Sequence, residues 1–153
     1  GADRIERGQL LEEITKAVVA LAGNRIGGLI VLDRDVGLNE YIEVGTRLDA
    51  RVSKELIESV FIPHSPMHDG ALVIQKGRAA AARCFLPLSV DPNLSKALGT
   101  RHRAAIGLTE ETDAVAIVIS EEQGKISLVV GGKVIQDLDG SQLHSSLQGL
   151  FSS

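Results

Sequence analysis

The sequence has a single cysteine, Cys84. One thiol excludes an internal disulfide and the cysteine-rich zinc sites, and it fits a reducing compartment. Its place in the apolar stretch 79–88 makes it a core residue. Long apolar runs are missing too. A membrane span needs ~20 apolar residues, whereas the best run here is 114–119, and no signal peptide opens the chain. An excess of one charge is also absent. Sixteen basic and twenty acidic residues are mixed along the chain, for a net charge of −4. General nucleic-acid binding needs a broad basic surface, so this balance argues against a nucleic-acid polymer as partner. No G-x-x-x-x-G-K-[ST] loop, G-x-G-x-x-G fingerprint or nucleophile elbow occurs. P-loop, Rossmann and serine-hydrolase chemistry therefore lack their signatures. Repeats and low-complexity segments are absent as well.

What remains is one domain over residues 1–153, long enough for a real core. The first residue is not Met, so residues 1–4 read as a remnant or linker. Leu10, Leu11, Ile14, Ala17, Val18 and Leu21 share one face and predict a helix over 9–21, stopped by Gly23-Asn24. A buried strand follows over 28–32, then loop, turn and short strand over 33–49. Ser53 caps a helix to about Phe61, which Pro63 and Pro66 end. Strands at 71–75 and 79–86 form a hairpin around Lys76-Gly77. Asp91-Pro92 opens a short helix closed by Gly99, and Thr100 caps the next one, from Arg101. Strands at 114–119, 125–130 and 134–136 precede an amphipathic helix over 141–151. Interleaved helices and hairpins predict an α/β fold with a mixed parallel and antiparallel central sheet flanked by helices.

Two strings carry chemistry. Asp69 follows a proline-stiffened turn and precedes Gly70, which allows close backbone approach. Asp-Gly alone is explained as a turn. A carboxylate at a strand edge is also a hard oxygen ligand for Mg²⁺ or Mn²⁺. Arg101, His102 and Arg103 fall in the first turn of a helix, where positive charge opposes the dipole. That placement suits a bound phosphate, and arginine adds bidentate recognition. A solvated basic face explains the same triplet. His68 lies beside Asp69, whereas His64 and His144 read as surface or structural residues, and Glu121-Glu122 as a solvated turn.

Together these strings resemble a known family. Ser65-Pro66-Met67-His68-Asp69-Gly70-Ala71, Leu86-Pro87-Leu88-Ser89 and the run Leu98 to Gly107 are similar to the diadenylate cyclase (DAC) domain. Ser120-Glu121-Glu122 with Gly124-Lys125-Ile126-Ser127 is similar as well. The likeness runs from about Ile5 to Phe151 and includes the spacing between the Asp-Gly-Ala and Arg-His-Arg motifs. The opening helix leading into Gly27 is similar to the membrane-anchored CdaA-type branch.

The resemblance implies the DAC fold and condensation of two ATP into cyclic di-3′,5′-AMP (c-di-AMP), with release of two pyrophosphates. It implies a divalent metal (Mn²⁺, Mg²⁺ or Co²⁺) and a homodimer of facing domains in the active state. Membrane attachment would run only through N-terminal helices absent from this chain, leaving the chain itself a soluble cytoplasmic domain. Asp69 would bind metal and help activate the 3′-hydroxyl. His68 would touch metal or phosphate, and Gly70 and Ala71 would shape the loop. Gly99, Thr100, Arg101, His102 and Arg103 would hold phosphates. Phe85, Leu86, Pro87 and Leu88 would form the adenine pocket, and Glu122 would lie near metal and phosphates. Phe85 departs from the family pattern, in which tyrosine is common at that position. Stacking survives that change, but a phenolic hydrogen bond does not. The same pocket in a sensor would bind ATP or c-di-AMP without turnover, and a structural module would bind neither.

Overall fold

The structure, a computed structural model, describes residues 2–152. Gly1, part of the expected remnant, lies outside the described residues. The two most apolar runs become strands buried on both faces. They are β1 (Gly28–Leu32) and β5 (Val115–Ile119). Side chains alternate across a strand, so Leu29 and Val31 enter one core while Ile30 and Leu32 enter the other. Such strands need cover on both sides.

The helices supply that cover. One core packs β1 and β5 against α1 (Ala2–Gly23), α3 (Lys54–Phe61) and α5 (Gly140–Phe151). Ile14, Val18 and Leu21 come from α1, Ile57 and Phe61 from α3, Leu143 and Leu147 from α5. The other core packs the opposite sheet face against α4 (Thr100–Glu111) and the short α2 (Asn39–Glu43). Ser53 caps α3 as expected, its hydroxyl accepting from the Leu56 N–H at 3.0 Å. Asp139 and Gln142 form a capping box that starts α5.

The remaining strands are β2 (Thr46–Arg51), β3 (Ala71–Gln75), β4 (Arg78–Cys84), β6 (Ile126–Val130) and β7 (Lys133–Leu138). Among the described residues the strands form one seven-stranded sheet, ordered β2-β4-β3-β1-β5-β6-β7. β1 and β3 pair in parallel, and the other neighbours pair antiparallel. The expected mixed sheet flanked by helices is the observed architecture.

Local expectations need correcting in four places. Helix α1 begins at Ala2 rather than Gln9. Residues 3–9 are exposed, so no apolar stripe marks them. Helix α2 has five residues, too few for a helical period to show. The expected helix from Asp91 to Gly99 does not form. The Asp91 carboxylate accepts from the Asn93 N–H at 2.9 Å and the Ser95 hydroxyl from the Ala97 N–H at 3.2 Å. These side chains take up donors a helix would use, leaving two turns. Finally, Gly99, not Thr100, is the N-cap of α4, extended at ψ −179°, with no side-chain cap bond.

Strand β4 ends at Cys84, and the chain then leaves the sheet and crosses α4. The Ser89 N–H donates to the Arg103 carbonyl at 3.0 Å. A Cβ added at Gly107 would lie 2.9 Å from both the Pro87 carbonyl carbon and the Ser89 nitrogen. The missing side chain is what lets residues 87–89 lie on the helix. Gly107→Ala forces that backbone away, and overpacking of this kind costs about 1–3 kcal/mol. Thermal melting should show a midpoint lowered by about 5 °C. An unchanged midpoint would remove Gly107 as the seat of this segment.

Candidate functional site

The sheet register brings the two motif strings to one end of the fold. Ile30 pairs with Leu72 in the parallel β1–β3 ladder, so both strands start at the same end of the sheet. Gly27, just before β1, and Asp69, two residues before β3, therefore lie at the same end of the sheet. Strand β5 runs the other way. Gly28 pairs with Ile119, so Ser120 and Glu121 emerge at this same end. Ala71 pairs with Cys84, so Phe85 leaves β4 here too.

The Asp69 turn is built by Ser65. Its hydroxyl accepts from the Met67 N–H at 3.0 Å, and its carbonyl lies 2.7 Å from His68 Nδ1. A carbonyl only accepts, so Nδ1 carries the proton. His68 Nε2 then faces Asp69 Oδ1 at 3.4 Å. Gly70 follows at φ +78°, and a Cβ there would meet the Cys84 carbonyl oxygen at 2.9 Å. Both the left-handed backbone and the close approach require glycine. Asp69 stays 67% exposed. Its carboxylate has His68 as neighbour and room for a ligand. Ala71, the next residue, is fully buried at the start of β3.

The basic triplet splits in space. Successive helix residues are ~100° apart, so three neighbours cannot share one target. Arg101 reaches back over Gly27. A Cβ on Gly27 would lie 2.7 Å from its guanidinium carbon, so the guanidinium occupies the space a side chain would fill. Arg101 Nη1 is also 3.8 Å from Glu121 Oε1. His102 turns toward β6, with Nε2 3.4 Å from the buried Ser127 hydroxyl. Burial, and next the Arg101 charge, hold the His102 imidazole below its ordinary pKa of 6.5, so it stays neutral. Arg103 Nη2 lies 3.4 Å from the Ser95 carbonyl, over the turns at 91–98. Of the three, Arg101 is the one that turns toward the start of β1, where Gly27 lies. Gly99 and Thr100 are exposed where the helix presents its free N–H groups.

The other expected residues fall around this shelf. Phe85 is 56% exposed and Leu88 50%, whereas Leu86 and Pro87 are half-buried. Glu122 is exposed, and its backbone carbonyl accepts from Arg25 Nη1 at 2.9 Å. The carboxylate facing Arg101 is that of Glu121. From sequence alone Gly27 and Ser127 carry no site role, although Ser127 closes the string Gly124-Lys125-Ile126-Ser127. The Gly27-Gly28 pair before a strand was the available signal for the first. Cys84 is buried, its thiol pushed up to about 11 by burial, and reads as core as expected. A cavity of about 1200 Å³ lies at the opposite end of the sheet, lined by Leu32, Asp33, Ile74 and Lys76 among others. None of the expected site residues lines it.

A family model described as DisA bacterial checkpoint controller nucleotide-binding (DAC) matches residues 15–134. This chain belongs to the DAC domain family. It is 49% identical over 146 residues to a diadenylate cyclase of Listeria monocytogenes, covering 94% of this chain and 54% of that protein. It is 46% identical over 141 residues to the Bacillus subtilis cyclic di-AMP synthase CdaA, covering 92% and 52%. The chain therefore spans about half the length of the curated relatives it matches. A double-mutant crystal structure of DacA from Staphylococcus aureus superposes with a TM-score of 0.93 at 42% identity, covering 100% of both chains. A Bacillus cereus structure described as a membrane spanning protein superposes with a TM-score of 0.80 at 39% identity, covering 83% of this chain and 62% of that one. Among the described residues of this DAC domain, no helix is long and apolar enough to cross a membrane.

The environment of His102 has a measurable consequence. In an NMR pH titration its imidazole should titrate with a midpoint below 6.5. As pH falls below 6.5 the unfolded chain takes up this proton before the folded one, so His102 lowers stability until the folded ring protonates. A midpoint above 6.5 would overturn burial as the dominant influence on this ring.

Proposed function

We propose that this DAC domain is a diadenylate cyclase half-site. The observation that carries the reading is the parallel β1–β3 pairing, which starts both strands at one end of the sheet, where Asp69 precedes β3 and Arg101 lies over Gly27, before β1. A hard acid and a guanidinium at one strand end suit a metal-bound triphosphate. The names of the two cyclase relatives point the same way.

The residues fit a divalent ion. His68, with Nδ1 held by the Ser65 carbonyl, presents Nε2 toward the Asp69 carboxylate. Among the described residues no cluster of three or more potential ligands occurs. Mg²⁺ and Mn²⁺ are often held by one or two protein groups plus substrate phosphates and water. Bound there, Mn²⁺, Mg²⁺ or Co²⁺ would neutralise phosphate charge and acidify a nearby hydroxyl.

The chain's own residues do the rest. Asp69 accepts the proton that leaves the 3′-hydroxyl. That oxygen bonds to the α-phosphorus of the other ATP as the bond to pyrophosphate breaks. Such transfer depends on in-line placement and charge balance. Arg101 offsets charge on the departing pyrophosphate, with the free N–H groups at Gly99 and Thr100 holding adjacent oxygens. Arg103 extends the positive field toward the 91–98 turns. Neutral His102 holds the helix start against β6 and leaves the cationic work to the arginines. Phe85, Leu86, Pro87 and Leu88 receive the adenine, the exposed ring offering a stacking face. Gly70 and Ala71 fix the loop, and Glu122 lies at the rim. Each chain holds one ATP, so an isologous pair must face to join two. The product is c-di-AMP. Attachment to a membrane would run through segments preceding this one.

Incubation of the protein with ATP and Mn²⁺ should yield c-di-AMP and pyrophosphate, read by mass. Binding of ATP without product would instead make the domain a sensor. Asp69→Asn should keep the parent melting curve and lose ~10²-fold or more in kcat; full turnover would sink the assignment of Asp69. A second prediction concerns assembly. Specific activity should rise with protein concentration in the dilute range, and a flat profile from a sedimentation-verified monomer would refute the facing pair.

A further inference from the structure

We propose that Arg83 is a positioning residue for the base platform, and that the bulge it forms ties Phe85 to the Asp69 turn. The inference rests on the reading of Phe85 as the surface that stacks on adenine.

Four observations meet at this position. First, the β3–β4 register slips. Ala71 pairs with Cys84 but Val73 pairs with Ala81, so β4 uses three steps where β3 uses two. The extra residue makes a bulge, a device that re-aims side chains near functional sites. Second, Arg83 has φ 56°. Arginine is not a residue that favours the left-handed region, unlike glycine or asparagine. Third, the Arg83 guanidinium carbon lies 5.8 Å from the centroid of the Phe85 ring, within cation–π range. Fourth, a Cβ added at Gly70 would lie 3.1 Å from the Arg83 carbonyl carbon and 2.9 Å from the Cys84 oxygen.

These facts give Arg83 two duties. Its side chain covers part of the Phe85 ring and restrains it. The sequence has three phenylalanines and one tyrosine. Phe61 and Tyr41 are buried and Phe151 is partly buried, so Phe85, at 56% exposure, is the aromatic ring the fold leaves open. A ring restrained before binding loses less freedom when a base stacks on it. Its backbone has the second duty. Gly70, itself left-handed, packs against the Arg83–Cys84 backbone. Relaxing the bulge would therefore move the turn that carries Asp69. The bulge fixes the base platform and the metal-side acid relative to each other.

Two variants separate the duties. Asparagine tolerates the left-handed backbone but lacks the cation, whereas β-branched valine resists that backbone. Binding is measured by calorimetry with 3′-deoxy-ATP and Mn²⁺, which lacks the attacking hydroxyl and cannot react. Arg83→Asn should raise that Kd about two- to fivefold, with a matching rise in KM for ATP rather than a fall in kcat. Arg83→Val should add a fall in kcat of ~10-fold or more, by displacing Asp69. Arg83→Lys should recover part of the Kd. An unchanged Kd in Arg83→Asn overturns the proposal, as does an Arg83→Val kcat equal to that of Arg83→Asn. If Arg83→Val fails to fold, as read by its melting curve, the Arg83→Asn and Arg83→Lys affinities decide. A parent protein that does not bind 3′-deoxy-ATP removes the proposed function and this inference together, whereas a parent that binds with an indifferent Asn variant removes the inference alone.

Discussion

The site depends on the parallel pairing of β1 with β3. Parallel neighbours cannot be joined by a tight turn, so the chain must cross from the end of one strand to the start of the next. Here that crossing includes α2, β2 and α3. The crossing returns the chain to the starting end of β1 by way of the Ser65–Gly70 turn. Asp69 is therefore delivered to the end of the sheet where Gly27 lies, forty-odd residues earlier in sequence, by a ladder fixed at Ile30 and Leu72. The buried faces of both strands make this register hard to shift. Slipping by one residue would exchange the two core faces, sending Leu29 and Val31 into the core now filled by Ile30 and Leu32.

Around that pair, glycines decide how closely charge can approach. Gly27 gives up its side-chain space to the Arg101 guanidinium, Gly70 to the Cys84 carbonyl, and Gly107 to the backbone of residues 87–89. Each is a close approach from a different element toward one end of the sheet. The electrostatics follow from the packing. Helix α4 has no acidic residue in its first turn and carries Arg101 and Arg103 there. Positive side chains on a positive helix end are unfavourable until an anion arrives. Glu121, 3.8 Å from Arg101 and 66% exposed, is a weak counter-ion that phosphate can outcompete.

Much of the architecture was legible because buried strands and capped helices leave local marks. The runs at 28–32 and 115–119, the Ser53 cap and the Lys76-Gly77 turn all state their structure within a few residues. What escaped was set elsewhere. Helix α2 is too short to show a period, and its Tyr41 hydroxyl is held by Glu111 on α4, 3.0 Å away. The segment 91–98 has the residues of a helix start, but its own side chains take the backbone donors. At the site, Asp69 and Arg101 stood out as chemistry, whereas Gly27 matters only because Arg101 lies on it. Ser127 is legible only once β6 is paired and α4 is laid across it. The triplet 101–103 shows the converse. Adjacent in sequence, its side chains part on the helix, toward Gly27, toward Ser127 and toward Ser95.

That divergence bears on why the shelf is open. Phosphoryl transfer gains most from fixed charges in a site that excludes water. Here Asp69 is 67% exposed and Phe85 56%, and Val90, two residues beyond Leu88, is 93% exposed. With the proposed ATP bound, a lone domain would leave the triphosphate in high dielectric, where Arg101 is worth little. Whatever raises that worth must cover the shelf from outside. Among the described residues, the loops at this end of the sheet are 63–70, 85–99 and 120–125, and Asp69 and Phe85 stay exposed among them. On the proposed reaction a facing copy needs no additional element. It brings its own Asp69, Arg101 and ATP, and the surface that excludes water from one half-site also carries the nucleophile for the other.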